Sequence, residues 1–307
     1  MGPCAFEMLF TRNVPHILEK IFFSLDYRSF QSSLKVNRTW NRMLSTEPYL
    51  TWYKRNMIEK KVNDKKLWIA SDEGNLDEVE RLISSGGWVD LNCAPCTRTS
   101  ISGCTPLQRA ARYGHQEVVR LLLERGADPN CASAWGDNAL TMAAESCYID
   151  VVKLLLNGGA KPNMEDQYGR TPLHVATQCY HYSKDVVQLL LKKGADPNKA
   201  NRWGRTPLHY ASEKAHKDVV KALLDGGAQP NEEDNEGLTP LHLAARYSHI
   251  EMVQLLLQRG ADHNKTNLWG KTPLHYASEE GHKEVVQLLL QKMLAALSFF
   301  ERLSGVE

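Results

Sequence analysis

The chain has 307 residues, with 37 lysine and arginine residues against 36 aspartate and glutamate residues, and a net charge of +1. A near-neutral chain lacks the basic face that neutralises phosphates, which argues against nucleic acid as the main partner. No apolar run approaches the roughly 20 residues needed to span a bilayer. The seven cysteines are dispersed and odd in number. They fit reduced thiols, so we expect a cytoplasmic location, with the nucleus as an alternative.

The first predicted element is residues 14–40, VPHILEKIFFSLDYRSFQSSLKVNRTW. Its apolar side chains recur at helical spacing, which predicts three short helices at residues 15–24, 28–35 and 37–46. A unit of this size is near the limit at which a lone core suffices, so its apolar stripe needs a further surface to cover it. The periodicity alone does not identify that surface.

Within this stretch, Val14-Pro15, Leu25-Asp26, Val36 and Trp40 resemble the F-box motif. The pattern departs from the family at Val14 for Leu, at Asn37 for Cys, and by one residue fewer between Pro15 and Leu25. The resemblance implies that residues 1–46 are an F-box, which docks on the Skp-type adaptor of a Skp–cullin–F-box ubiquitin ligase and reaches a cullin through it. The implied adaptor-binding residues are Val14, Pro15, Ile17, Leu18, Ile21, Phe22, Leu25, Phe30, Leu34, Val36 and Trp40. The alternative is an N-terminal helical cap that binds no adaptor.

Residues 47–65 follow, with Tyr49, Leu50, Trp52 and Tyr53 before a charged run. This composition predicts a helical linker between two domains.

The strongest signal in the sequence is self-similarity. Two adjacent units read GRTPLHYASEKAHKDVVKALLDGGAQPNEEDNE (204–236) and GLTPLHLAARYSHIEMVQLLLQRGADHNKTNLW (237–269). A period of 33 carrying T-P-L-H-x-A resembles the ankyrin repeat. The resemblance implies about seven helix-turn-helix units with hairpin-like turns, at residues 66–102, 103–135, 136–168, 169–203, 204–236, 237–269 and 270–307. We therefore expect an all-α fold in which an ankyrin-repeat solenoid follows a three-helix F-box.

The residues of one unit explain its local structure. In TPLH the Thr caps a short helix, and the Pro occupies the first turn, where its missing N–H costs nothing. The second helix carries an apolar stripe, and a glycine such as Gly260 ends it. In the third unit Asn138, Ala139 and Thr141 replace Thr, Pro and His, which predicts a weaker cap. The last unit continues as QKMLAALSFFERL, which predicts a capping helix, and the alternative is that Phe299 and Phe300 mark a partner patch.

The residue before each unit's glycine is predicted to lie on a projecting turn, and four of five such residues are aromatic: Trp135, Tyr168, Trp203, Glu236 and Trp269. Aromatic and arginine side chains are enriched at binding hot spots. The predicted groove for the protein to be ubiquitinated is Arg112, Tyr113, Trp135, Tyr168, Arg170, Arg202, Trp203, Arg205, Arg246, Tyr247, Trp269 and Lys271. Its arginines favour an acidic or phosphorylated segment. The alternative is that each Trp only shields its own turn.

No catalytic, cofactor or metal site is predicted. Eight of eleven histidines recur at repeat positions, which indicates a structural role. Cys93, Cys96 and Cys104 lack a suitably spaced fourth ligand for zinc. The resemblance of residues 14–40 to the F-box implies a non-catalytic substrate adaptor of a ubiquitin ligase, and the alternative is an ankyrin scaffold or inhibitor without a ligase role.

Overall fold

The computed structural model describes residues 47–84, 89–92, 103–179 and 183–304. The predicted F-box, with its three helices and its adaptor-binding residues, lies outside the described residues. The chain divides into two compact units, residues 1–60 and 61–307. The first unit is described from residue 47 onward, where it is helical.

Helix α1 spans Glu47–Glu73 as one 27-residue helix. The predicted linker is therefore helical, and the helix continues through the expected start of the first repeat at residue 66. It ends where Gly74 takes a φ of 71°, a left-handed conformation that suits glycine.

The following helices alternate between a short first helix and a longer second helix, as the repeat predicts. Their bounds are α2 Leu76–Ser84, α3 Pro106–Arg112, α4 Gln116–Glu124, α5 Ala139–Glu145, α6 Ile149–Asn157, α7 Pro172–Ala176, α8 Ser183–Lys192, α9 Pro207–Glu213, α10 Lys217–Asp225, α11 Pro240–Arg246, α12 Ile250–Gln258, α13 Pro273–Glu279 and α14 Lys283–Ser304. The described part of the chain contains helices and turns and no strand. The predicted C-terminal helix is confirmed, because the second helix of the last unit runs on without a break.

The main core is one cluster of buried side chains that runs along the described part of the second unit, and Leu238, Leu243 and Tyr276 form a separate smaller cluster. In α10 the side chains of Val220 and Leu223 are fully buried, and in α11 so are Ala244 and Ala245. The alanines of the short helices allow the longer helices to pack closely, since a small side chain keeps the helix axes near each other. Each helix pair buries its stripe against the neighbouring pairs, so the stability of the array comes from contacts between adjacent repeats.

The recurring histidines are structural, as predicted. In α9, the N–H of Thr206 donates to Nδ1 of His209 at 3.1 Å. Because Nδ1 accepts, Nε2 carries the proton and donates to the carbonyl of Leu238 in the next repeat at 2.9 Å. His174 and His242 make the same links. Each of these side chains caps its own helix and ties it to the next unit.

The third repeat is the exception to this pattern. Asn138 does cap α5, since its Oδ1 accepts from the N–H of Thr141 at 2.9 Å. The return half of the cap is missing, because the Asn138 Nδ2 and the Thr141 hydroxyl are buried without a hydrogen-bond partner among the described residues. The weaker cap predicted from the sequence is thus confirmed. The hydrogen bond from the Thr141 N–H to Asn138 is present, and the side-chain bond that a histidine makes to the next repeat is absent from the part of the chain that the structure describes.

Candidate functional site

The candidate site is built on the turns between repeats. In each of four turns, one buried polar side chain accepts hydrogen bonds from backbone N–H groups of the turn and holds its conformation. Asn201 Oδ1 accepts from the N–H of Trp203 at 2.9 Å and from that of Arg205 at 3.0 Å. Asp166, Asp234 and Asn267 make the same pair of bonds in their own turns. The residue before each glycine is thereby held at the tip of a tight turn.

Adjacent tips are joined through their backbones. The N–H of Asn235 donates to the carbonyl of Trp203 at 3.0 Å, and equivalent bonds run from Gln167 to Trp135 and from Arg202 to Tyr168. We call Trp135, Tyr168, Trp203, Glu236 and Trp269 the tip row. These bonds fix the spacing of the tip row and make it a preformed surface.

The aromatic members of the tip row are about half exposed. The exposed fractions are 43% for Trp135, 39% for Tyr168, 49% for Trp203 and 62% for Trp269. Tyr168 stacks on Trp203 with ring centroids 5.7 Å apart and an angle of 19° between the planes. A Trp that only shielded its own turn would not stack on the next tip. For these two residues the structure therefore favours a continuous surface.

Three of the six basic residues predicted for the groove, Arg170, Arg205 and Lys271, are engaged by carboxylates. Arg170 donates to Asp166 at 2.7 Å, and Arg205 donates to Glu213 at 2.9 Å and to Asp234 at 3.2 Å. Lys271 pairs with Glu279 at 2.8 Å. Because these cations are already neutralised, they offer little attraction to an acidic segment.

The other predicted groove residues lie at the ends of the first helices. Arg112 ends α3 and Tyr113 follows it, and Arg246 and Tyr247 lie in the same way at the end of α11; all four are exposed. Arg246 sits 5.8 Å from the ring centroid of Tyr247. Arg202 is exposed at its turn. The predicted residues therefore form an open face, not an enclosed pocket.

Two clefts open between neighbouring tips. The Trp203 cleft has a volume of about 360 Å³ and is lined by Trp203, Arg205, Tyr210, Asp234, Asn235 and Glu236. The Trp135 cleft has a volume of about 260 Å³ and is lined by Trp135, Asp137, Asp166, Gln167, Tyr168 and Arg170. Burial raises the pKa of Asp137, and the nearby charge of Asp166 raises it further. Both clefts hold more carboxylates than cations.

Three features of this surface were missed in the sequence. Leu268, beside Trp269, is 74% exposed. The exposure of Leu268 could have been predicted from the sequence. The corresponding residues of the other turns, Gln167, Arg202 and Asn235, are polar, which indicates that this position faces solvent. Tyr148 is also exposed. Nothing in the sequence singles out Asp137, because its raised pKa depends in part on Asp166, a carboxylate from another turn.

The buried histidines of the repeats titrate below their usual range. Burial lowers the pKa of His174 and of His209 to about 4, so both are neutral hydrogen-bonding groups near neutral pH. No cluster of potential metal ligands is found among the described residues, and Cys93 and Cys96 lie outside them. No helix in the described ranges is long and apolar enough to cross a membrane.

A helical repeat array with a preformed row of half-exposed aromatic side chains defines a repeat protein that mediates protein–protein interaction. The family model for ankyrin repeats (3 copies) matches residues 49–133, 127–201, 179–267 and 226–297. The chain belongs to the ankyrin-repeat family.

Several known proteins are similar to the repeats. The crystal structure of the ankyrin repeat domain of Bcl-3, a unique member of the IkappaB protein family, matches with a TM-score of 0.64 and 31% identity, over 74% of this chain and 97% of that one. An ankyrin repeat-containing protein of Schizosaccharomyces pombe is 41% identical over 74 residues, 24% of this chain and 32% of its own length. The E3 ubiquitin-protein ligase XBAT33 of Arabidopsis thaliana is 42% identical over 74 residues, 21% of this chain and 14% of its own length. The chain thus aligns with about a third or less of these two relatives.

Proposed function

We propose that this chain is a substrate-recognition adaptor of a Skp–cullin–F-box ubiquitin ligase and is not itself an enzyme. The protein-binding part of the proposal rests on one observation, the half-exposed aromatic tip row on a rigid repeat array. The ligase part rests on the resemblance of residues 14–40 to the F-box. XBAT33, which has similar repeats, is named as a ubiquitin-protein ligase, and this supports a role of such repeats in ubiquitination.

In this role the chain does no covalent chemistry. Residues 14–40 bind the Skp-type adaptor, and the tip row with the groove residues binds the protein to be modified. Holding both in one complex raises the effective concentration of substrate lysines near a ubiquitin-charged conjugating enzyme. Such a complex works in the cytoplasm or the nucleus.

The second candidate is an ankyrin scaffold or inhibitor with no ligase role. This candidate is favoured by the family comparison, since the ankyrin model begins at residue 49 and includes none of residues 14–40. In that case the helices predicted in residues 14–40 are a cap.

The test is a pull-down of the purified chain with a Skp-type adaptor and a cullin. We would compare the wild type with a deletion of residues 1–46 and with Pro15→Ser/Ile21→Ser. The matched control is Trp269→Ala, which changes the tip row and leaves the F-box sequence intact. The proposal expects the adaptor to bind the wild type and Trp269→Ala equally and to lose the other two.

Circular dichroism separates loss of binding from loss of folding. If the wild type is folded and binds no adaptor, the ligase role is wrong and the scaffold remains. If the double substitution removes helical signal from the whole chain, residues 14–40 belong to the solenoid core and are not an adaptor dock.

A further inference from the structure

The two clefts share one chemical composition. Each has a half-exposed aromatic side chain of the tip row on its wall and two carboxylates for one guanidinium. Between them, Tyr168 and Trp203 stack and close the intervening joint. Along the array, the surface therefore presents the Trp135 cleft, then the stacked pair of Tyr168 and Trp203, and then the Trp203 cleft.

In the Trp203 cleft the surplus charge belongs to Glu236. Arg205 is occupied by Glu213 and Asp234, and the Asp234 Oδ1 is further held by two backbone N–H groups. Glu236 is exposed and makes no ion pair with any described residue. One side of Trp203 is stacked on Tyr168, and Trp203 also lines the cleft beside Glu236. An aromatic face next to an unneutralised carboxylate is the environment that a cationic side chain prefers.

In the Trp135 cleft the surplus charge belongs to Asp137. Arg170 is paired with Asp166 at 2.7 Å and lies 5.3 Å from the Tyr168 ring centroid. Asp137 is half-buried and has no ion-pair partner within the described ranges. Burial raises the pKa of Asp137 and the charge of Asp166 raises it further, while the charges of Arg170 and Arg112 act in the opposite direction.

We propose that each cleft binds one lysine or arginine side chain, and that both belong to a single extended segment of the partner protein. Adjacent helices pack at roughly 8–10 Å, so two repeats separate the clefts by about 16–20 Å. An extended chain rises about 3.3 Å per residue, so the two basic residues are about five or six positions apart. This inference rests on the protein-binding part of the proposed function and names its ligand chemistry. It differs from the acidic segment favoured by the sequence, because Arg170 and Arg205, the arginines that line the two clefts, are already paired with carboxylates.

The test begins with a selection that assumes no sequence. Random peptides of about 12 residues, long enough to span both clefts, are displayed on phage and selected on the full chain. The expected result is enrichment of Lys or Arg at two positions about five or six apart. The best peptide is then labelled, and its binding is measured by fluorescence anisotropy at low and at moderate salt.

The variants for the binding measurement are Glu236→Gln, Asp137→Asn and Trp203→Ala. A matched control is Glu232→Gln, an exposed carboxylate of the same turn that does not line the cleft. Each of the three should weaken binding by about two- to fivefold, as expected for exposed ion pairs and cation–π contacts. Glu232→Gln should leave binding unchanged, and added salt should weaken it for the wild type. Unchanged circular dichroism shows that each variant is folded.

Three results would overturn the inference. They are enrichment of acidic peptides or of peptides without basic residues, binding that ignores Glu236→Gln and Asp137→Asn, and the selection of no binding peptide at all. Peptides that need the aromatic tips and no basic residue would overturn only the charge inference and keep the protein-binding role. Failure of the adaptor pull-down would leave this inference standing, since no adaptor takes part in the assay.

Discussion

The buried histidines make the stability of the repeats depend on pH. His174 and His209 are fully buried, and burial lowers the pKa of each from 6.5 to about 4. Backbone carbonyls and the carboxylates of Asp166 and Asp234 act in the opposite direction, and Arg170 and Arg205 add to the effect of burial. The folded chain therefore keeps both rings neutral at a pH where the unfolded chain has already protonated them.

The sign and size of the effect follow from linkage. The folded-state pKa lies below the unfolded value, so stability is full above pH 6.5 and is lost as the pH falls toward about 4. One pKa unit corresponds to about 1.4 kcal/mol, so at about pH 5.5 each histidine costs about 1.4 kcal/mol relative to about pH 7.5. The two together should cost about 3 kcal/mol.

The chain supplies its own control for this prediction. In the second repeat Gln108 occupies the histidine position, accepts from the N–H of Thr105 at 2.7 Å, and donates to the carbonyl of Asp137 at 2.9 Å. His174→Gln/His209→Gln should therefore keep the hydrogen bonds and remove the titration. Urea unfolding followed by circular dichroism at about pH 7.5 and about pH 5.5 should show an acid-induced loss smaller by about 3 kcal/mol in the variant. His242, whose pKa burial also lowers, leaves a remainder. Equal losses in the two proteins would refute the reasoning.

Three further predictions concern stability and are checked by urea unfolding. Gly237→Ala should lower the free energy of unfolding more than Gly260→Ala does. Both glycines have a positive φ, 75° at Gly237 and 85° at Gly260, so both variants carry backbone strain. A Cβ at 237 would also lie 2.9 Å from the Leu268 nitrogen, whereas one at 260 meets nothing within 4 Å. Equal losses would contradict the close approach. Asn198→Ala removes two bonds to the next repeat, of 3.1 and 2.8 Å, and should cost about 1–2 kcal/mol; no loss would show that these exposed bonds are replaced by water. Leu223→Ala empties a fully buried site and should cost about 2–5 kcal/mol, and a loss below about 1 kcal/mol would mean that the repeats collapse around it.

The sequence predicted the parts of the structure that repeat. The TPLH helices, the structural histidines and the exposed aromatic tips all follow from a residue type recurring at a fixed spacing. The continuous helix α1 was also readable, because the chain has no Gly or Pro between Pro48 and Gly74. The prediction divided this helix into a linker (47–65) and the start of the first repeat at residue 66, because the boundary was placed from the repeat period and not from the helical pattern.

The charge balance of the site was not predictable in the same way. Arg205 and Asp234 are 29 residues apart in sequence, and their pairing depends on the stacking of two turns. Read alone, each arginine looked like a contact for an acidic ligand. Only the folded arrangement shows which charges are neutralised and which, such as Glu236, are left over.

Because the cap of the third repeat is incomplete, the two clefts differ in the hydrogen bonds that join the repeats on either side of them. The walls of the Trp203 cleft are joined by the bond from His209 to the Leu238 carbonyl. The corresponding position in the Trp135 cleft is Thr141, whose hydroxyl reaches no partner among the described residues. The repeats that form the Trp135 cleft therefore lack this histidine-type bond, although the backbone bond from Gln167 to Trp135 still joins their tips. A partner that inserts a side chain between two tips would therefore work against the backbone bond in the Trp135 cleft, and against both the backbone bond and the histidine bond in the Trp203 cleft.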